Sequence, residues 1–213
     1  MRRRDLLLAA ALLPAACARR ITPDGAEIRG HVLLLRGLAN VFSTGMDDLA
    51  GRIAAAGFGA EVRNHIDWRG LAARVVAQER AGRLPRPFAV VGHSLGADDA
   101  ILLAGAAGAQ GVATDLLVTF DPVWIGTVPA GPQHVLNLFQ SNNLWGRAVS
   151  PGPGFAGRIE NRDLADRANL NHFNIEKDPA LHAQVVAALE ALSPPWRGPL
   201  VNTPPGTGGR ARG

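Results

Sequence analysis

The stretch Phe88-Ala89-Val90-Val91-Gly92-His93-Ser94-Leu95-Gly96 decides how the rest of the chain is read. Its first four residues form a short continuous apolar run of the kind found in a strand buried on both faces. From Leu95 to Ala107 the composition predicts a helix. Between them stands a serine with glycine two positions away on either side, the arrangement G-x-S-x-G. Five serines and 25 glycines in 213 residues predict about 0.07 such matches by chance, before the flanking strand and helix are asked for. The glycines have a physical purpose. A chain that turns this sharply from strand into helix leaves no room for a Cβ at either flanking position, and the turn lifts the serine hydroxyl to the carboxyl edge of a sheet, beside the positive end of a helix.

Outward from this turn, apolar runs alternate with helical periods. His31 to Leu35, Ala60 to His65, Leu116 to Phe120 and His134 to Phe139 read as strands. Met46 to Ala56 and Trp68 to Ala81 read as helices, stopped by Gly57 and Gly82. The last helix, Pro179 to Leu192, has Asp178 as its N-cap, proline at its first position and Leu181, Val185, Leu189 and Leu192 as its apolar stripe. Such alternation means an α/β fold: a mostly parallel central sheet with helices on both faces.

A strand, a G-x-S-x-G turn and a helix in this setting resemble the α/β-hydrolase superfamily of serine esterases, lipases and thioesterases, and the resemblance covers residues 31 to 192. It implies that Ser94 is a catalytic nucleophile. A serine hydroxyl needs a base, and the base an acid that fixes its tautomer. In this superfamily they follow in the order Ser, Asp or Glu, His, with the histidine in a loop shortly before the last helix. His172 in Asn171-His172-Phe173 matches that place. His93 points away from the reacting side, and His182 falls inside the last helix, where a solvated side chain is expected. Asp121 ends the run Leu116 to Phe120 and so projects from the same sheet edge as Ser94. In most of the superfamily the acid follows the next strand, but here His134 to Phe139 leads into Gln140-Ser141-Asn142-Asn143, without a carboxylate. Asp121 is therefore the first candidate and Asp163, in a charge-rich stretch, the second. Asp98 and Asp99 are accounted for by the N-terminus of the helix they sit in. The backbone of Leu95 is one expected oxyanion donor. Leu35-Arg36-Gly37-Leu38 is similar to the His-Gly-Leu of bacterial lipases, with Arg36 in the histidine's place, and makes Leu38 the second.

The loops on this edge carry Val41, Phe42, Met46, Val123, Trp124, Leu144, Trp145, Phe155 and Phe173, an apolar acyl pocket if they face it. The short interval between Asp121 and His134 leaves no room for a bulky cap, and the Gly/Pro-rich Ser150 to Gly157 suggests a flap. No metal or organic cofactor is implied. The expected activity is cleavage of carboxylic esters through an acyl-serine. A thioesterase or acyltransferase on the same residues is the alternative, and a non-catalytic binding module on the same fold is the alternative of another class.

Composition bounds these readings. A chain that is 47% hydrophobic and 19% charged buries a real core, and a single cysteine, Cys17, makes no internal disulfide. The net charge of +4 lies in the ends: residues 1 to 29 and 193 to 213 each carry +3, leaving −2 for residues 30 to 192. A mildly acidic body does not favour nucleic acid as a partner. Arg2, Arg3 and Arg4 followed by an apolar run from Leu6 to Ala16 read as an export signal over residues 1 to 18, the run being too short to span a bilayer. Cleavage after Ala16 would expose Cys17 for lipidation and membrane attachment, with residues 1 to 16 as a lipoprotein signal, whereas cleavage after Ala18 would release a soluble protein to the periplasm of a bacterium. Residues 19 to 29 read as a linker to a domain over 30 to 192. The tail from 193 to 213 is too rich in Pro and Gly to order. Nothing in the sequence fixes the oligomeric state.

Overall fold

A computed structural model describes residues 19–23, 28–38 and 43–193. The export segment with Cys17, and the tail beyond Ser193, lie outside the described residues. Among the described residues nine strands and four α-helices follow in the order β1 (Arg19–Ile21), β2 (His31–Arg36), α1 (Gly45–Ala55), β3 (Gly59–Asn64), α2 (Trp68–Arg80), β4 (Phe88–His93), α3 (Leu95–Gly108), β5 (Leu116–Phe120), β6 (Thr127–Val128), β7 (His134–Phe139), β8 (Ser150–Pro151), β9 (Arg158–Asp163) and α4 (Pro179–Glu190). Seven strands make the main sheet in the order β1-β3-β2-β4-β5-β7-β9, and all its pairings are parallel except β1 with β3. This is the α/β architecture expected from the alternation of strands and helices.

The period of two along each strand divides the core between the two faces of the sheet. Val32, Leu34, Val91, Val118 and Leu138 pack with Leu49, Ile53, Leu181 and Val185 of α1 and α4. Leu33, Leu35, Val90, Leu117 and Val135 pack with Leu71, Val75, Ile101 and Leu103 of α2 and α3. Both clusters are almost entirely excluded from solvent, at roughly 1.5–3 kcal/mol for each large side chain buried. The stop of α1 at Gly57 (φ 90°) and of α2 at Gly82 (φ 61°) uses the left-handed backbone that glycine adopts freely.

Two segments differ from the sequence reading. Arg19–Ile21, assigned to a linker, is an edge strand: it lies antiparallel to β3, with Arg20 opposite Glu61. Three residues carry no periodic signal, and what holds them is the open backbone edge of β3 and the approach of Arg20 to Glu61 at 3.4 Å. The charge-rich stretch around Asp163, to which the sequence reading assigned no strand, is the parallel outer strand β9. Its residues Arg158-Ile159-Glu160-Asn161-Arg162-Asp163 suit an edge, where charge discourages pairing with other chains. A polar ladder joins it to the interior. Thr119 Oγ1 donates to Asn137 Oδ1 (2.8 Å), and Asn137 Nδ2 donates to Asn161 Oδ1 (2.8 Å). The Ser150 to Gly157 stretch, expected as a flap, is tied down at Ser150–Pro151, which pairs with β6, and at Phe155, which packs on the α2–α3 core.

Candidate active site

The apolar run of β4 ends at His93, and Ser94 follows with φ 59° and ψ −127°, a backbone conformation that costs a non-glycine residue about 1–3 kcal/mol. Close packing holds it there. A Cβ on Gly92 would meet the backbone of Gly96, and a Cβ on Gly96 would meet the carbonyls of Leu35 and Arg36. Ser94 N donates to Phe120 O (2.9 Å), which fastens the turn to the neighbouring strand. Helix α3 begins at Leu95, whose amide belongs to the unsatisfied first turn of that helix.

Asp121 and His172 are brought to the same point from elsewhere in the chain. His172 Nε2 lies 3.0 Å from Ser94 Oγ, and its Nδ1 lies 3.2 Å from Asp121 Oδ2. The distances make a continuous hydrogen-bond line from hydroxyl to imidazole to carboxyl. Asp121 is fully buried, and it has a positive φ of 47°. Two donors besides His172 hold its carboxyl group: Gln140 N to Oδ1 at 2.9 Å and Asn143 Nδ2 to Oδ2 at 2.8 Å. The turn after β7, which lacks a carboxylate of its own, thus supplies the donors that fix the carboxyl group from β5. Gly146 closes the same turn against Asp121 with no room for a Cβ. Asp163 takes no part. Its Oδ1 accepts from Ser141 N and Ala165 N, both at 3.0 Å, and the Ser141 side chain first, then these amides, hold its carboxyl below the usual carboxylate range.

Ser94 and His172 open into a pocket of about 250 Å³ whose walls are mainly apolar. Val123, Trp124, Trp145 and Phe173 line it, as four of the expected acyl-pocket residues. Trp145 stacks on the His172 ring with centroids 5.2 Å apart, and Phe173 meets that ring edge-on at 5.3 Å. Three others do not reach it. Met46 is fully buried in the α1–α4 core, Phe155 packs against the opposite core, and Leu144 is 97% exposed. Val41 and Phe42 lie outside the described residues. Leu38 and Leu95, the two expected oxyanion donors, border the same pocket as Ser94. Arg36 is turned away from it, its guanidinium bound to both oxygens of Asp47 at 2.6 and 2.8 Å. Among the described residues no group of three or more His, Cys, Asp or Glu side chains gathers to hold a metal ion.

Several residues at the site escaped the sequence reading. Asp98, attributed to the N-terminus of α3, accepts from three successive backbone amides, Val123 N and Trp124 N at 3.1 Å and Ile125 N at 3.0 Å, and so shapes the pocket wall that follows Asp121. Burial outweighs these donors and raises its carboxyl above the usual range. His93, expected to point away from the reacting side, borders the same pocket as Ser94, with its ring nitrogens held in a buried hydrogen-bond chain with Ser43 and the His172 carbonyl. Burial pushes its imidazole down to about 4, leaving it neutral near pH 7. His182, expected in solvent, is buried and lies with Nε2 2.7 Å from the Glu176 carbonyl, pinning the loop that carries His172 to α4. None of these pairings has a spacing in sequence that announces it.

No family model matches the sequence, and no curated protein matches it. Solved structures do. The chain is similar to lipase B of Aspergillus fumigatus, at 13% identity and TM-score 0.57 over 82% of this chain and 56% of that one, so it spans little more than half of the lipase. It is similar to a hyperthermophilic esterase of the archaeon Pyrobaculum calidifontis, at 13% identity and TM-score 0.55 over 83% of this chain and 82% of that one. It is also similar to the type II thioesterase BorB from the borrelidin biosynthetic cluster, at 16% identity and TM-score 0.54 over 83% and 97%. The chain has the α/β-hydrolase fold. In the described residues that fold is small, with α1 and α4 on one face of the sheet and α2 and α3 on the other.

Proposed function

We propose that the protein is a serine hydrolase that cleaves carboxylic esters of small molecules through an acyl-serine intermediate. The observation that carries this reading is the hydrogen-bond line Ser94–His172–Asp121 at 3.0 and 3.2 Å, opening into an apolar pocket. His172 takes the hydroxyl proton at Nε2 as Ser94 Oγ attacks the ester carbonyl, and Asp121 holds the ring in the Nδ1–H tautomer and stabilises the imidazolium that forms. The amides of Leu95 and Leu38 receive the negative charge that develops on the carbonyl oxygen. His172 then returns the proton to the leaving alcohol, and water repeats the sequence to release the acid and free Ser94.

The size of the pocket favours a short acyl group. At about 250 Å³ it falls below the range of about 300–1,000 Å³ that encloses drug-sized ligands, and Trp124, Trp145 and Phe173 offer it apolar contact without a charged partner. The same residues serve a thioester, and the likeness to a type II thioesterase keeps that substrate within the reading. Ser94→Ala should abolish hydrolysis of p-nitrophenyl esters and labelling by a fluorophosphonate while the protein still melts cooperatively. Hydrolysis at the parent's rate in that variant would remove the proposal.

A further inference from the structure

A second chain of hydrogen bonds runs along the wall of the pocket, which Ser43 and His93 border. Gly37 N donates to Ser43 Oγ at 2.9 Å, Ser43 Oγ lies 2.8 Å from His93 Nδ1, and His93 Nε2 lies 2.8 Å from the carbonyl oxygen of His172. Ser43 is 1% exposed and His93 2%, so water does not substitute for these partners. The donors and acceptors fit in one direction only. A carbonyl oxygen can only accept, so His93 carries its proton on Nε2, and its bare Nδ1 accepts from the Ser43 hydroxyl, whose lone pair receives Gly37 N–H. The neutral state of His93 is the one this chain requires.

The two ends of this chain are the two halves of the proposed machinery. Gly37 immediately precedes Leu38, an expected oxyanion donor, and it is packed hard against the nucleophile. A Cβ on Gly37 would come within 3.1 Å of Ser94 Cβ and Ser43 Oγ and within 3.0 Å of His93 O. The other end holds the peptide of His172 itself, whose ring lies 5.1 Å from that of His93. We propose that Ser43 and His93 are positioning residues that couple the oxyanion loop to the backbone of the catalytic base, so that Leu38 N–H and His172 Nε2 keep a fixed separation across Ser94. This rests on the serine-hydrolase reading. Both side chains border the pocket, but their polar atoms are taken up by this chain of hydrogen bonds, so they act on the reaction through the groups they hold. Their effect falls on the transition state, because a donor displaced by a fraction of an ångström still admits the substrate but meets the tetrahedral oxyanion poorly.

Ser43→Ala removes one hydroxyl, which orphans Gly37 N–H and His93 Nδ1 while leaving the apolar core untouched. Counting active sites with a fluorophosphonate and reading turnover per labelled site separates misalignment from simple loss of folded protein. We expect kcat per site on a p-nitrophenyl ester to fall about 10- to 100-fold, KM to stay within about twofold, and the affinity for a boronic acid that forms a tetrahedral adduct on Ser94 to fall in parallel with kcat. His93→Gln keeps an N–H for the His172 carbonyl and should retain more activity than His93→Leu. A kcat per site in Ser43→Ala within twofold of the parent, or equal losses in His93→Gln and His93→Leu, would overturn the proposal. If Ser43→Ala yields no folded protein, the per-site turnover of His93→Gln against His93→Leu decides. Failure of the hydrolase reading itself is recognised separately, since the parent protein would then not be labelled at Ser94.

Discussion

Asp121 and Glu176 are both fully buried carboxyl groups, one beside the ring of His172 and the other four residues further along the same loop. Their surroundings differ sharply. Three donors converge on Asp121, from Gln140 N, Asn143 Nδ2 and His172 Nδ1. Neither oxygen of Glu176 has a well-formed hydrogen bond, and its nearest cation, Lys177 Nζ, is 3.8 Å away. Burial accordingly pushes the Glu176 carboxyl up to about 7, so that below that pH it is mostly the neutral acid. Burial places a carboxyl group in the right neighbourhood, but the donors around it decide whether it can serve a histidine.

The largest expected effect tests the better-provided of the two. Asp121→Asn preserves the shape but offers an amide to His172 Nδ1, which favours the wrong tautomer, and the corresponding change in the well-studied triad lowers turnover about 10⁴-fold. A loss of that order in kcat is expected here. Asp163→Asn, altering an exposed carboxyl that binds only Ser141 and Ala165, should leave kcat within about threefold of the parent. Steady-state kinetics on one ester checks both, and a reversed ranking would mean that the donors around Asp121 serve the fold alone.

The donors themselves come next. Asn143 is fixed in one orientation, because its Oδ1 accepts from Trp145 N (2.8 Å) and Gly146 N (2.6 Å), which leaves Nδ2 to donate to Asp121. Asn143→Ala removes that donor and loosens the turn that stacks Trp145 on His172. A fall of about 10-fold in kcat is expected, since Gln140 N still holds the other carboxyl oxygen. Asn143→Asp should be worse than Asn143→Ala, because it sets a second carboxyl against Asp121, and measuring both variants shows whether the amide acts as a donor or only as a spacer.

The difference between these carboxyl groups also marks how far the sequence could be read. The Ser94 turn was legible because everything that makes it is local: two glycines, a preceding apolar run and a following helix. His172 was legible through the Asp178-Pro179 start of α4, and Asp121 through its place at the end of β5. Asn143, Ser43 and His93 were not, because each acts on a partner at least 22 residues away through a polar atom that has no preferred spacing. Strand β1 escaped because three residues have no period, and β9 because an edge strand of charged residues imitates a surface loop. Asp98 was assigned a sufficient local cause, the helix N-terminus, while its oxygens in fact hold the amides of residues 123 to 125.

The smallest effect on activity, and a distinct one on stability, is expected at Glu176. Its carboxyl titrates near 4.5 in the unfolded chain and near 7 in the folded protein. Between those values the folded state keeps a proton that the unfolded chain has released, so stability falls as pH rises through the window and then levels off. A shift of that size corresponds to about 3 kcal/mol, an order-of-magnitude figure. Glu176→Gln is neutral at every pH and of nearly the same shape, so it lacks this loss. Melting temperatures of parent and variant measured from pH 4.5 to 8 should therefore diverge, the variant gaining on the parent as pH rises. Its kcat per active site should stay within about twofold of the parent's, since Glu176 touches neither Ser94 nor the pocket. Parallel melting curves across that range would mean that the buried carboxyl finds a partner strong enough to keep it ionised, and the contrast with Asp121 would then lie in position alone.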